Sequence, residues 1–68
     1  MKRTSVDSSS ILSIGWDNGT LEVEFKRGTY QFFGVPKEIY KAFLRAESIG
    51  TYFHKNINKK YSYSYASI

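Results

Sequence analysis

The chain contains no cysteine, one proline and one histidine. Without cysteine, neither a disulfide nor a thiolate metal site can brace the fold. The lone His54 is the one candidate for a general base. Such a base needs a partner within hydrogen-bond reach, and no carboxylate lies three or four residues to either side of it. No metalloprotease helix motif, nucleophile elbow, phosphate-binding glycine loop or metal-spaced carboxylate cluster occurs. The reading is therefore of a protein that is not an enzyme and holds no metal or cofactor. No apolar run approaches the ~18 residues of a transmembrane helix, which argues against a membrane partner. The opening "MKRTSVDSSS" carries two basic residues but no apolar segment, so it does not read as a signal peptide. With the absence of cysteine, the expectation is a cytoplasmic protein.

Large side chains are what is present. Aromatic residues make up 18% of the 68 residues. A chain of this length forms one domain and hides only about 60% of the surface its unfolded form exposes. Each buried aromatic removes roughly 150–250 Å² from water, so a few rings can make a thin core sufficient.

Acidic residues are scarce and unevenly placed. Residues 1–35 hold Lys2, Arg3, Lys26 and Arg27 against Asp7, Asp17, Glu22 and Glu24, a net of zero. Residues 36–68 hold Lys37, Lys41, Arg45, Lys55, Lys59 and Lys60 against Glu38 and Glu47, which gives the whole excess of +4. A one-sided basic charge suits a polyanion partner and also suits a solvated helix face.

Along the chain, "ILSIGWD" alternates Leu12, Ile14 and Trp16 with small residues, the period of a half-buried strand. Asp17, Asn18 and Gly19 favour a reversal. "TLEVEF" then points Leu21, Val23 and Phe25 one way and Glu22 and Glu24 the other. A second turn at "KRGT" places Gly28 where positive φ is needed, and "TYQFF" sends Tyr30 and Phe32 to one face and Phe33 to the other. These strands predict a three-stranded antiparallel meander with one apolar face to cover. Pro36 opens a helix whose Ile39, Tyr40, Ala42, Phe43 and Ala46 share a broad arc, with Lys37, Lys41 and Arg45 opposite. Ser48 caps a second helix with an Ile49, Phe53, Ile57 stripe. The expected fold is thus α+β, in the order β-β-β-α-α, with both helices packed on one sheet face. Residues 1–8 read as a flexible arm, 9–61 as the folded domain, and 62–68 as a Tyr/Ser tail able to add an edge strand.

The pattern resembles the KTSC domain from about Val6 to Tyr61. The likeness is carried by "SSSI" at Ser8 to Ile11, "GWD" at Gly15 to Asp17, "LEVEF" at Leu21 to Phe25, "GTYQFFGVP" at Gly28 to Pro36, Tyr40, and "AESIGTYF" at Ala46 to Phe53. The family's Tyr-x-Tyr is similar to Tyr30-Gln31-Phe32, in which the second hydroxyl is lost. Trp16 stands for a usual Tyr and His54 for a frequent Asn. The resemblance implies a small domain without an established activity, found at the C-terminus of some lysyl-tRNA synthetases and as free-standing bacterial and phage proteins, for which RNA binding has been suggested.

A nucleic acid would be held by cations on its phosphates and by rings on its bases. Lys37, Lys41 and Arg45, helped by Lys55, Lys59 and Lys60, are the candidates for phosphates. Phe33, Tyr61, Tyr63 and Tyr65 are the candidates for exposed stacking, whereas Tyr30 and Phe32 are expected in the core. The alternative is a protein-interaction module, or a homodimer formed by strand pairing at an open sheet edge.

Overall fold

Asn18 and Gly19 form a two-residue loop in which both residues take positive φ, 51° and 87°. That backbone suits the right-handed twist of the strands it joins. The computed structural model, which describes residues 2–66, has seven elements. They are β1 (Arg3–Ser5), β2 (Ile11–Asp17), β3 (Thr20–Phe25), β4 (Gly28–Phe33), α1 (Lys37–Arg45), α2 (Ile49–Asn56) and β5 (Tyr63–Ala66). The strands form one sheet in the order β1-β2-β3-β4-β5 with every neighbour antiparallel.

The α+β class and the two helices match expectation, but the sheet has five strands rather than three. The additions come from the segments read as an arm and a tail. Arg3–Ser5 pairs with β2. After both helices, the chain returns to set Tyr63 beside Phe32 and Tyr65 beside Tyr30. Residues 1, 67 and 68 of those segments lie outside the described residues.

Alternation along the strands divides the sheet into two unlike faces. Ile11, Ile14, Leu21, Val23 and Phe32 lie buried on one, and Phe43, Ile49, Phe53 and Ile57 of the helical segment close over them. Burying Phe43 completely contributes roughly 1.5–3 kcal/mol from area alone. Leu12 departs from the expected alternation. The register slips between Ile11 and Ser13, so Leu12 is the extra residue of a bulge and stands 40% exposed, while Ile11 takes the core position. On α1, Ala42 is exposed and Leu44 packs against the core in its place. The larger side chain removes more apolar surface from water.

The other face carries no helix and is a polar network. Arg3 pairs with Gly15, which pairs with Glu22. The Arg3 side chain crosses β2 above this glycine, where no side chain obstructs it. Its Nη1 lies 3.4 Å from Glu22 Oε1 and donates to Thr29 Oγ1. Gln31 Nε2 donates to Glu22 Oε2 at 3.1 Å, and the Ser13 hydroxyl donates to Glu24 Oε1 at 2.8 Å. Both strand carboxylates are thereby satisfied within the sheet.

Two hydrogen bonds fix the passage from sheet to helix. Trp16 Nε1 donates to the Val35 carbonyl at 2.8 Å, and the Val35 amide donates to the Gly19 carbonyl at 2.9 Å. Pro36, with φ at −65°, then starts α1. Ser48 Oγ accepts from the Thr51 amide and caps α2, as its position predicts. The Tyr52 ring stacks on Phe43 at 5.4 Å, and its hydroxyl donates to the Ile39 carbonyl.

Two measurements check this packing. Gly28 has φ +153°, and a Cβ built on it lies 2.6 Å from Cε1 of the Tyr65 ring. Gly28→Ala should therefore cost about 1–3 kcal/mol of unfolding free energy in urea, chiefly through backbone strain, with the Tyr65 ring displaced. Burial, then the neighbouring Tyr61 phenol, raises the Tyr52 pKa above its ordinary value. In the unfolded chain this phenol ionises first, so its contribution is complete below pH ~10 and is lost as pH rises through the folded-state value. Tyr52→Phe should show a shallower fall in melting temperature above pH ~10 than the parent. Equal falls in the two proteins would show that the Tyr52 phenol is not responsible.

Candidate functional site

Helix α1 carries Lys37, Lys41 and Arg45 at intervals of four residues, which places them within one narrow arc of the helix. All three are exposed. The opposite side of α1 is held to the core by Phe43 and by Tyr40, whose ring stacks on Trp16 at 6.2 Å. That anchoring turns the cations outward. Lys37 Nζ also stands 6.0 Å from the centre of the Trp16 ring, a cation–π contact that orients the first of them. Among the described residues the one ion pair is Arg3–Glu22, on the opposite face. The cations of α1 are thus free of carboxylate partners at that range.

Lys55 lies exposed on α2; Lys59 and Lys60 follow in the turn beyond it, where Lys59 takes φ 67°. The predicted basic residues therefore fall into two sets on different elements, one along α1 and one around the end of α2.

The predicted stacking residues separate as well. Phe33 is 42% exposed on the helix-free face. Tyr61 is partly buried and packs against the core. Tyr63 and Tyr65 are 63% and 53% exposed. Each leans on a ring that the sequence assigns to the core: Tyr63 on Tyr30 and Phe32 at 5.7 and 5.8 Å, and Tyr65 on Tyr30 at 5.1 Å. Phe32 is buried, whereas Tyr30 is only partly so.

This arrangement creates a feature that the sequence reading misses. Beside α2, where the helices stop covering β4, a groove of ≈ 500 Å³ opens between Phe25, Tyr30, Phe53 and Tyr63, with Lys26 and Arg27 on its lining. Phe32 contributes the buried ring beneath. The alternating tyrosines of "YSYSY" were the available signal, but only the pairing of β5 with β4 shows which rings they face. His54 is exposed, with its ring 5.5 Å from that of Phe53. No group of three metal-ligating side chains assembles among the described residues, and no helix among them is long and apolar enough to cross a membrane.

An antiparallel sheet with two sequential helices on one face, closed by a final strand, defines a small α+β domain. The KTSC domain model matches residues 7–61, and the chain belongs to that family. It is similar to an uncharacterised protein of Stutzerimonas stutzeri strain A1501, 43% identical over 58 residues, which cover 81% of this chain and 82% of that one. The fold superposes on the crystal structure of the KTSC domain protein YPO2434 from Yersinia pestis with a TM-score of 0.94, 40% identity and 97% of each chain covered.

Proposed function

We propose that this protein is a non-catalytic binding module that holds RNA or another nucleic acid through the cations of α1. The observation that carries the reading is the row Lys37, Lys41, Arg45, exposed and without carboxylate partners among the described residues, on a helix whose other side is fixed by Phe43 and Tyr40. A rigid line of cations suits a chain of phosphates, and such contacts give affinity without sequence readout. Lys55 on α2, with Lys59 and Lys60 in the turn beyond it, supplies further charge. The synthetase association attached to the family resemblance makes tRNA the first polyanion to try, in a cytoplasmic setting. Binding is preferred to catalysis because His54 has an aromatic neighbour and no carboxylate hydrogen bond among the described residues.

Fluorescence anisotropy with labelled tRNA and with single-stranded oligonucleotides tests this. Three phosphate contacts predict a log–log salt slope of about −2 on a single strand. Lys41→Glu with Arg45→Glu should weaken binding at least about tenfold and flatten the slope. No binding at low salt, or no effect of the double reversal, removes the α1 reading.

A second reading is self-association through β5. Among the described residues its outer edge has no neighbour in the sheet order, and its residues Tyr-Ser-Tyr-Ala bear no charge, whereas the β1 edge carries Arg3. Charged side chains commonly protect such edges. Ser64 is exposed and pairs with Gln31 on the helix-free face. If β5 joins two copies, light scattering should report a dimer that Ser64→Lys converts to monomer. A parent protein that is monomeric at every concentration removes this reading.

A further inference from the structure

We propose that the aromatic groove beside α2 is a receptor for a nucleobase carrying its phosphate, with the ring held among Phe25, Tyr30, Phe53 and Tyr63 and the phosphate on Lys26 and Arg27. This deepens the nucleic-acid reading and rests on it for the class of ligand, but uses none of the α1 cations.

The rings line the groove in crossed orientations. Phe25 meets Phe53 at 5.2 Å and 74°, and meets Tyr30 at 5.8 Å and 87°. Tyr30 tilts against Tyr63 at 5.7 Å and 55°. Rings set at such angles present both faces and edges to an inserted planar group, and base–aromatic stacking tolerates any base. The volume of ≈ 500 Å³ falls within the roughly 300–1,000 Å³ of small-molecule sites.

Charge selects the occupant. Among the described residues no Asp or Glu lines the groove, while Lys26 and Arg27 both do. Both are exposed and free of carboxylate partners among the described residues. An uncharged apolar peptide would leave these cations unused; an anionic ring compound engages both parts of the site. The turn bearing the cations is already held from two sides. The Lys26 amide donates to the Ser10 carbonyl, and the Tyr65 hydroxyl donates to the Arg27 carbonyl, each at 3.4 Å. A pre-positioned turn loses less freedom on binding. The Asn58 backbone amide donates to the Phe53 carbonyl at 2.8 Å, while its side-chain carboxamide, engaged in no hydrogen bond among the described residues, is available to a base edge.

Two sources share this chemistry, a free mononucleotide and one residue of a single strand. Amide NMR of the full chain, titrated with uridine monophosphate, uridine, inorganic phosphate and a short oligouridine, separates them. The expected result is that the monophosphate or the oligonucleotide shifts the amides of residues 25–30, Asn58 and Tyr63. Uridine and phosphate alone should bind at least about tenfold more weakly. Shifts with both ligands indicate a free-nucleotide site, and shifts with the oligonucleotide alone indicate a strand. Lys26→Glu with Arg27→Glu, and separately the exposed Tyr63→Ala, should each weaken that binding at least about tenfold while the melting transition persists. Oligonucleotide shifts confined to α1 that survive these variants overturn the groove proposal and leave the α1 reading standing. Groove shifts should survive Lys41→Glu with Arg45→Glu; their loss in that variant overturns a groove independent of α1. Silence with every ligand overturns the groove proposal and leaves the α1 reading to its own test with tRNA.

Discussion

Phe53 is the point at which the sheet, the helices and the groove meet. Its ring contacts Phe25 and Phe32 on the sheet at 5.2 and 5.5 Å and Phe43 of α1 at 6.4 Å. A thin core has few interior positions, and a side chain that joins three elements at once determines how they sit. With Phe53 in place, α2 stands at the Phe25 end of the sheet, and α1 extends toward Trp16. The remaining width of β4 and β5 is left uncovered by either helix. The groove is thus a product of the same packing that closes the core.

The charge distribution follows from that one-sided arrangement. On the helix-free face, Arg3, Gln31 and Ser13 satisfy Glu22 and Glu24. On the helical side, Lys37, Lys41 and Arg45 have no comparable partners among the described residues. The sheet carboxylates Glu22 and Glu24 are matched on the helix-free face, and on α1 the three cations outnumber the single carboxylate Glu38, which leaves a positive field on the helical side. The exposed location of Lys26 and Arg27 extends positive charge to the β3–β4 turn, which the division of the chain into two halves had placed in a neutral half.

Local chemistry made the centre of the fold legible. Asn18-Gly19, the alternation Leu21, Val23, Phe25, and the Ser48 cap each act over a few residues, and each appears where its pattern predicts. The outer strands were less accessible because their evidence is not local. Arg3–Ser5 has no apolar alternation and is held by pairing with β2 and by the reach of Arg3 over Gly15 to Glu22. The Tyr/Ser alternation of β5 was readable as strand-like, but its neighbour was not, since residues 34–62 intervene. Leu12 was misplaced because a bulge shifts the alternation by one residue without a sequence mark. The α1 cations were legible from a four-residue spacing. The groove was not, since it assembles residues from the β3–β4 turn, β4, α2 and β5.

The late return of β5 has a consequence for the order in which structure is lost. β2, β3 and β4 are joined by tight turns and can pair early, whereas β5 must close a long stretch of chain before it meets β4. Its tyrosines remain largely in water, so detachment uncovers chiefly the Tyr30 and Phe32 rings they lean on. β5 therefore belongs among the segments whose amide protons exchange through local opening rather than global unfolding. Because Tyr63 forms part of the groove, each such opening dismantles the pocket while the three-strand centre stays folded, and any occupant bridging Tyr63 to Phe25 would slow that exchange.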